Sequence, residues 1–344
     1  MLAGMHRLPA SAFDFFGLWY MRLVRDRRPL PAAPVPPGEP TGLAGLAELA
    51  RESAPSLAGC LGTRTYECRR TAFPSPLRTT HEANNTVHGL LCPPRLPTAA
   101  DGPRPALLAL HGYRQMAYGY AGRLAAWCAR RGWVGWALAL PYHLARRAPG
   151  CRHGEHFISP DLGQFVRATR QAVADTLAAV EALRRAGCPK VAVVGGSLGA
   201  WIASLAAVCD PGLDAVVLIS PVADPVAISE RLPFLRQHRR ALRKAGLVRE
   251  DLERALVGLR PVALRPAVPP ERLLVVSGRR DLVVPAEAVE ELWRAWGRPA
   301  RKVYPHGHFS LMLLGRHLFG DIGRFLVARG WPACAAADGP EPWG

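Results

Sequence analysis

The stretch Val191-Ala192-Val193-Val194-Gly195-Gly196-Ser197-Leu198-Gly199-Ala200 constrains this chain more than any other. Val191 to Val194 is an unbroken run of small and β-branched residues, the pattern of a strand buried on both faces. It leads straight into Gly195-x-Ser197-x-Gly199, and Ala200 to Ala207 then follow a helical pattern. Strand, glycine-flanked turn with a central serine, and helix together give the context of a nucleophile elbow. Such a turn forces the serine into a strained backbone, and its glycines let strand and helix approach without a Cβ clash. The hydroxyl then stands clear at the end of a sheet. An ordinary glycine-rich βα turn would look similar, so the partners elsewhere in the chain decide.

Those partners sit in a regular alternation. Before it, Arg64 to Thr71 and Asn85 to Cys92 read as two adjacent antiparallel edge strands. From Pro105 onward strands alternate with helices, the signature of a parallel sheet wrapped on both faces. The strands are Ala106–Leu110, Trp133–Leu140, Val191–Val194, Ala215–Ile219, Leu273–Val276 and Arg301–Tyr304. Helices are expected around Tyr120–Arg131, Leu162–Ala186, Pro285–Trp296 and Leu311–Ala328, with an Arg-rich amphipathic segment at 225–265 interrupting the series. Residues 43–52 read as a further short helix. The domain expectation is therefore an N-terminal aromatic and basic helix with a Pro-rich linker over 1–40, an α/β domain over 41–330, and an unstructured tail over 331–344.

The first 28 residues place the apolar run Phe13 to Met21 ahead of Arg22, Arg25, Arg27 and Arg28, the reverse of an export signal. The run is too short to span a bilayer. Two readings stay open: a helix packed on the domain, or one lying on a membrane surface as a peripheral contact. Pro29 to Pro40 reads as a stiff linker.

Composition excludes little but weights the partners. The formal charge is +17, yet Lys stands only at 190, 244 and 302, so 41 of the 44 basic residues are Arg. With abundant Ala, Gly and Pro this reads as a GC-rich coding bias. A nucleic-acid interface would cluster Arg with stacking aromatics on one face; here the Arg are spread along the chain, and no nucleic-acid partner is expected. The eight Cys show no C-x-x-C pair and no zinc-type spacing. Reduced thiols in a cytoplasmic protein are the expectation, with no metal and no organic cofactor.

A serine hydroxyl is a weak nucleophile near neutral pH and needs a base, and the base needs an orienting acid. Downstream, Val275-Val276-Ser277-Gly278-Arg279-Arg280-Asp281 is an apolar strand ending in a turn with an Asp. Val303-Tyr304-Pro305-His306-Gly307-His308-Phe309 is a short strand ending in a His. The order Ser, Asp, His, each after a strand, points to Ser197, Asp281 and His308 as the catalytic set. Parallel strands bring their carboxyl ends to one edge, so the three can meet. Asp224, after the preceding strand, is the alternative acid, and His306 the alternative base.

In these neighbourhoods, and in Leu110-His111-Gly112-Tyr113, the chain resembles the α/β-hydrolase superfamily over roughly residues 64–330. The resemblance implies the α/β-hydrolase fold, a mostly parallel central sheet with helices on both faces, and a helical lid at 225–265. It also implies an oxyanion hole from the backbone N–H groups of Tyr113 and Leu198. His111, Tyr142 and His143 are the expected substrate-pocket residues, and His153-x-x-His156 a pocket wall in preference to a metal site.

The function expected is a serine hydrolase cleaving a carboxylic ester or thioester through an acyl-serine intermediate, on a small-molecule or lipid-like acyl substrate. An acyltransferase using the same acyl-enzyme, and a catalytically silent binding protein on the same fold, are the alternatives.

Overall fold

The computed structural model describes residues 10–24, 26–57, 60–61, 67–94 and 103–333. The expected tail from Cys334 onward and the start of the first expected strand, residues 64–66, lie outside them. The strands are β1 Arg69–Pro74, β2 Thr86–Cys92, β3 Ala106–Leu110, β4 Val134–Leu138, β5 Val191–Gly196, β6 Ala215–Ile219, β7 Leu273–Gly278 and β8 Ala300–Tyr304. They form one sheet in the order β1-β2-β4-β3-β5-β6-β7-β8. β1 with β2 and β2 with β4 are antiparallel, and every later pairing is parallel. β1 lies at one edge of the sheet, but β2, also expected to be an edge strand, is paired on both sides.

The helices are α1 Ala10–Leu23, α2 Leu46–Glu52, α3 Gly119–Arg130, α4 Leu162–Arg185, α5 Leu198–Cys209, α6 Pro225–Arg231, α7 Arg236–Lys244, α8 Arg249–Ala255, α9 Ala286–Ala295, α10 His308–Leu313 and α11 Arg316–Val327. β3 to β7 are buried along their whole length, because side chains alternate between two helical layers. Leu107, Ala109, Val194 and Val217 pack with α3 and α11 on one face, while Leu108, Val193, Val216 and Leu218 pack with α4 and α5 on the other.

Several expectations are corrected. The single helix expected over 311–328 is two, broken where Gly315 takes a φ of +46°. The Pro-rich linker lies docked on the body: Ala33 accepts from Leu162 N–H at 2.9 Å, and Glu39 pairs with Arg167 at 3.3 Å. Reduced thiols do not hold throughout, since Cys68 and Cys92 form a disulfide. The β1–β2 register sets Arg69 opposite Leu91, which places 68 opposite 92; antiparallel pairing, which Cys spacing does not reveal, brings them together. Among the described residues no helix is long and apolar enough to cross a membrane.

Candidate active site

Parallel pairing delivers the carboxyl ends of β5, β7 and β8 to one edge, and the site is built there. The chain turns from β5 into α5 through Ser197, at φ +55° and ψ −118°. The Ser197 N–H donates to Ile219 O at 2.8 Å, which fixes the turn to β6. The flanking glycines are steric necessities. A Cβ on Gly195 would stand 2.1 Å from Gly199 O, and one on Gly199 would stand 2.2 Å from Leu110 O. No side chain fits where strand, helix and β3 approach so closely.

β7 and β8 end side by side, Gly278 opposite Tyr304. The loops that follow stay zipped: the N–H groups of Arg279 and Arg280 donate to the carbonyls of Tyr304 and His306 at 2.8 and 3.0 Å. A Cβ on Gly278 would meet His306 O at 2.4 Å, so only glycine permits this contact. The paired loops bring Asp281 to His308.

The geometry of the three side chains is that of a relay. His308 Nε2 lies 2.9 Å from Ser197 Oγ, and His308 Nδ1 lies 2.8 Å from Asp281 Oδ2. The other Asp281 oxygen accepts the N–H groups of Val283 and Val284 at 2.9 and 2.7 Å. With its Nδ1–H facing the carboxylate, the imidazole presents the Nε2 lone pair to the serine. Burial by itself would lift the Asp281 pKa, but the adjacent His308 and the N–H donors outweigh it and hold the carboxyl below its ordinary range. Burial pulls His308 downward, yet the Asp281 carboxylate reverses this and Asp14 adds to the effect, so its pKa lies above the ordinary imidazole value.

The two alternatives stand elsewhere. Asp224 caps α6, accepting from Val226 N–H at 2.9 Å and pairing with Arg260 at 2.7 Å. His306 contributes its main chain to the loop pairing, and it is His308 whose ring reaches Ser197.

Ser197 opens onto a cavity of about 390 Å³. Its walls are mostly apolar, including Trp201, Phe165, Val284, Phe309 and Met312, with Met21 from α1 and Ile228, Leu232 and Phe234 from the 225–265 segment. Tyr113 and Leu198, expected as oxyanion-hole donors, line it; the expected pocket residues His111, Tyr142 and His143 do not. They are corrected to supporting roles. His111 accepts Leu140 N–H at 3.0 Å on Nε2 and its Nδ1 faces Gly112 O at 2.8 Å. Likewise, His143 accepts Arg114 N–H at 3.1 Å and faces Pro141 O at 2.8 Å with Nδ1. Both rings are fully buried and brace the turn at 112–114. Burial drives the His111 pKa down to about 4 and takes that of His143 down as well, which keeps both neutral. Tyr142 is buried, and its N–H donates to Asn84 Oδ1 at 3.0 Å.

The 112–114 turn passes over Ser197, since a Cβ on Gly112 would lie 3.7 Å from Ser197 Cβ. Leu198 is the first residue of α5, so its N–H has no acceptor within the helix. His153 and His156 are held by the main chain: His153 Nδ1 accepts Leu144 N–H at 3.0 Å, and His156 Nε2 faces Arg28 O at 3.0 Å.

One residue of this site was missed by the sequence reading. Asp14, on α1, is fully buried, and its carboxylate accepts the main-chain N–H groups of Leu282, His308 and Phe309 at 2.9, 2.6 and 2.9 Å. The signal was a lone acid inside the apolar run Phe13-Asp14-Phe15-Phe16, a charge that needs a buried partner if the run packs.

A puromycin-hydrolysing peptidase of Mycobacterium tuberculosis is similar in structure over 79% of this chain and 41% of its own, with a TM-score of 0.55 and 19% identity. The acylaminoacyl peptidase of Pyrococcus horikoshii matches over 81% of this chain and 44% of its own, with a TM-score of 0.54 and 14% identity. This chain has the α/β-hydrolase fold.

In sequence, an uncharacterised Mycobacterium tuberculosis protein is 34% identical over 171 residues, 49% of this α/β-hydrolase-fold chain and 40% of the relative. The match thus spans less than half of that relative's length. An uncharacterised Bacillus subtilis protein is 32% identical over 66 residues, 19% of this chain and 57% of its own length. No family model matches the sequence.

Proposed function

We propose that the protein is a serine hydrolase that cleaves ester-type bonds of apolar acyl substrates through an acyl-serine intermediate. The observation that carries this reading is the hydrogen-bonded set Ser197, His308 and Asp281 at the floor of an apolar cavity. Ser197 Oγ attacks the carbonyl carbon while His308 Nε2 takes its proton. The tetrahedral oxyanion is received by the N–H groups of Tyr113 and Leu198, two donors of a kind worth roughly 3 kcal/mol each in barrier height. The imidazolium returns the proton to the leaving group, and water repeats the sequence on the acyl-enzyme. Asp281 holds the tautomer this requires. The 225–265 segment, which supplies one cavity wall, would act as the lid.

An amide-cleaving enzyme is the second reading, favoured by the structural similarity to two proteins described as peptidases. Nitrophenyl esters of increasing acyl length, assayed beside aminoacyl nitroanilides, separate the two. If the cavity takes the acyl chain, kcat/KM for the esters should rise roughly fourfold per added methylene until the cavity is filled. Turnover of the anilides without the esters would replace ester cleavage by amide cleavage.

A further inference from the structure

We infer that Asp14 is a positioning residue for the reactive set, holding the Asp281 turn and the His308 helix in one fixed relation from a separate element of the chain. The inference rests on Ser197, His308 and Asp281 being the reactive groups. Asp14 touches none of the reacting atoms; it acts through the two loops that carry them.

The geometry makes this contact specific. One Asp14 oxygen accepts from His308 N–H at 2.6 Å and Leu282 N–H at 2.9 Å, so a single atom joins the residue after Asp281 to the base itself. The other accepts from Phe309 N–H at 2.9 Å. His308 and Phe309 are the first two residues of α10, whose N–H groups have no acceptor within the helix. α10 is only six residues long, too short to hold its own start in place. Its N-terminus, and with it the His308 backbone, is fixed from outside by α1.

The surroundings are shaped for that approach. A Cβ on Gly307 would lie 2.6 Å from the Asp14 carboxylate, and one on Gly17 would lie 2.3 Å from the Phe309 ring. Glycine at both positions lets α1 close onto the loop. The charge also reaches the base. The carboxylates facing His308 are Asp281, from the loop after β7, and Asp14, from α1, while the turn between β5 and α5 presents the Ser197 hydroxyl. Both carboxylates favour the imidazolium, so removing the Asp14 charge lowers the His308 pKa.

The test is Asp14→Asn, read in two ways on the full chain. An amide accepts on one side only and turns its NH2 toward an N–H on the other, so at least one of the three bonds is lost. Reaction of Ser197 with a fluorophosphonate should slow roughly tenfold to a hundredfold, the scale expected when a reacting group is displaced by about an ångström. The His308 titration, followed by NMR, should move to lower pH; a purely structural cap would lower thermal stability and leave that midpoint alone. Wild-type labelling and an unmoved midpoint in a folded variant overturn the inference. If Asp14→Asn does not fold, Gly307→Ala decides by the same readings, because the added methyl displaces the carboxylate without removing it; unchanged values there also overturn it. A wild-type protein that does not label overturns the serine-hydrolase reading instead, and the NMR midpoints still judge Asp14.

Discussion

At the scale of single residues, the sequence was most readable where chemistry and sterics demand particular side chains. Ser197 was legible because Gly195 and Gly199 leave 2.1 and 2.2 Å for a Cβ, which only glycine tolerates. Asp281 and His308 were legible because each follows a strand in the parallel series. What sits beside them was not. His111 and His143 looked like pocket residues because they follow strands at the same edge, and only the fold shows both rings spent on main-chain partners. The orienting acid can be checked directly. Asp281→Asn should lower kcat by about ten-thousandfold through the wrong imidazole tautomer; Asp224→Asn, which keeps an oxygen to cap α6 but loses the charge paired with Arg260, should leave kcat near wild type and cost no more than about 1 kcal/mol of stability. The pH profile follows from His308. The base must be neutral to accept the serine proton, and its pKa is raised, so kcat/KM should fall as pH drops through a value above the ordinary imidazole range. An acid limb below that range would mean that Asp281 is not ionised beside it.

At the scale of elements, the strands came through best, since β3 to β7 are buried on both faces and read as unbroken apolar runs. α1 was legible as an aromatic helix but its role was not. Its inner face, with Asp14 and Leu18, packs on the body, while Phe15, Phe16 and Trp19 remain 54–62% exposed. The packed reading therefore describes the face of the helix that meets the site. Deleting residues 1–24 should accordingly slow fluorophosphonate labelling of Ser197 at least as far as Asp14→Asn does, with the apolar side of Phe309 uncovered. A truncated chain that labels at the full rate would show that α1 is dispensable to the site. The break between α10 and α11 went unseen because Gly315 is one of three glycines in that pattern, and Gly320 and Gly323 sit inside α11.

At the scale of the whole molecule, the parallel sheet follows from the alternation after Pro105, whereas its strand order and the disulfide depend on pairings that no spacing encodes. The Cys68–Cys92 bond withdraws the thiol argument for a reducing compartment. It joins the edge strand to β2 at the end of the sheet opposite the site, because Cys92 stands opposite Gly135, near the start of β4. Replacing both cysteines by serine should therefore cost about 3 kcal/mol, seen as a lower Tm, with kcat unchanged. The central claim is that Ser197 is an activated nucleophile. Its most direct test is labelling by a fluorophosphonate, with the adduct located by peptide mass spectrometry in the wild type and in Ser197→Ala. One adduct on Ser197, absent from the folded variant, is the result predicted; an unlabelled wild type, or equal labelling of both proteins, would contradict it.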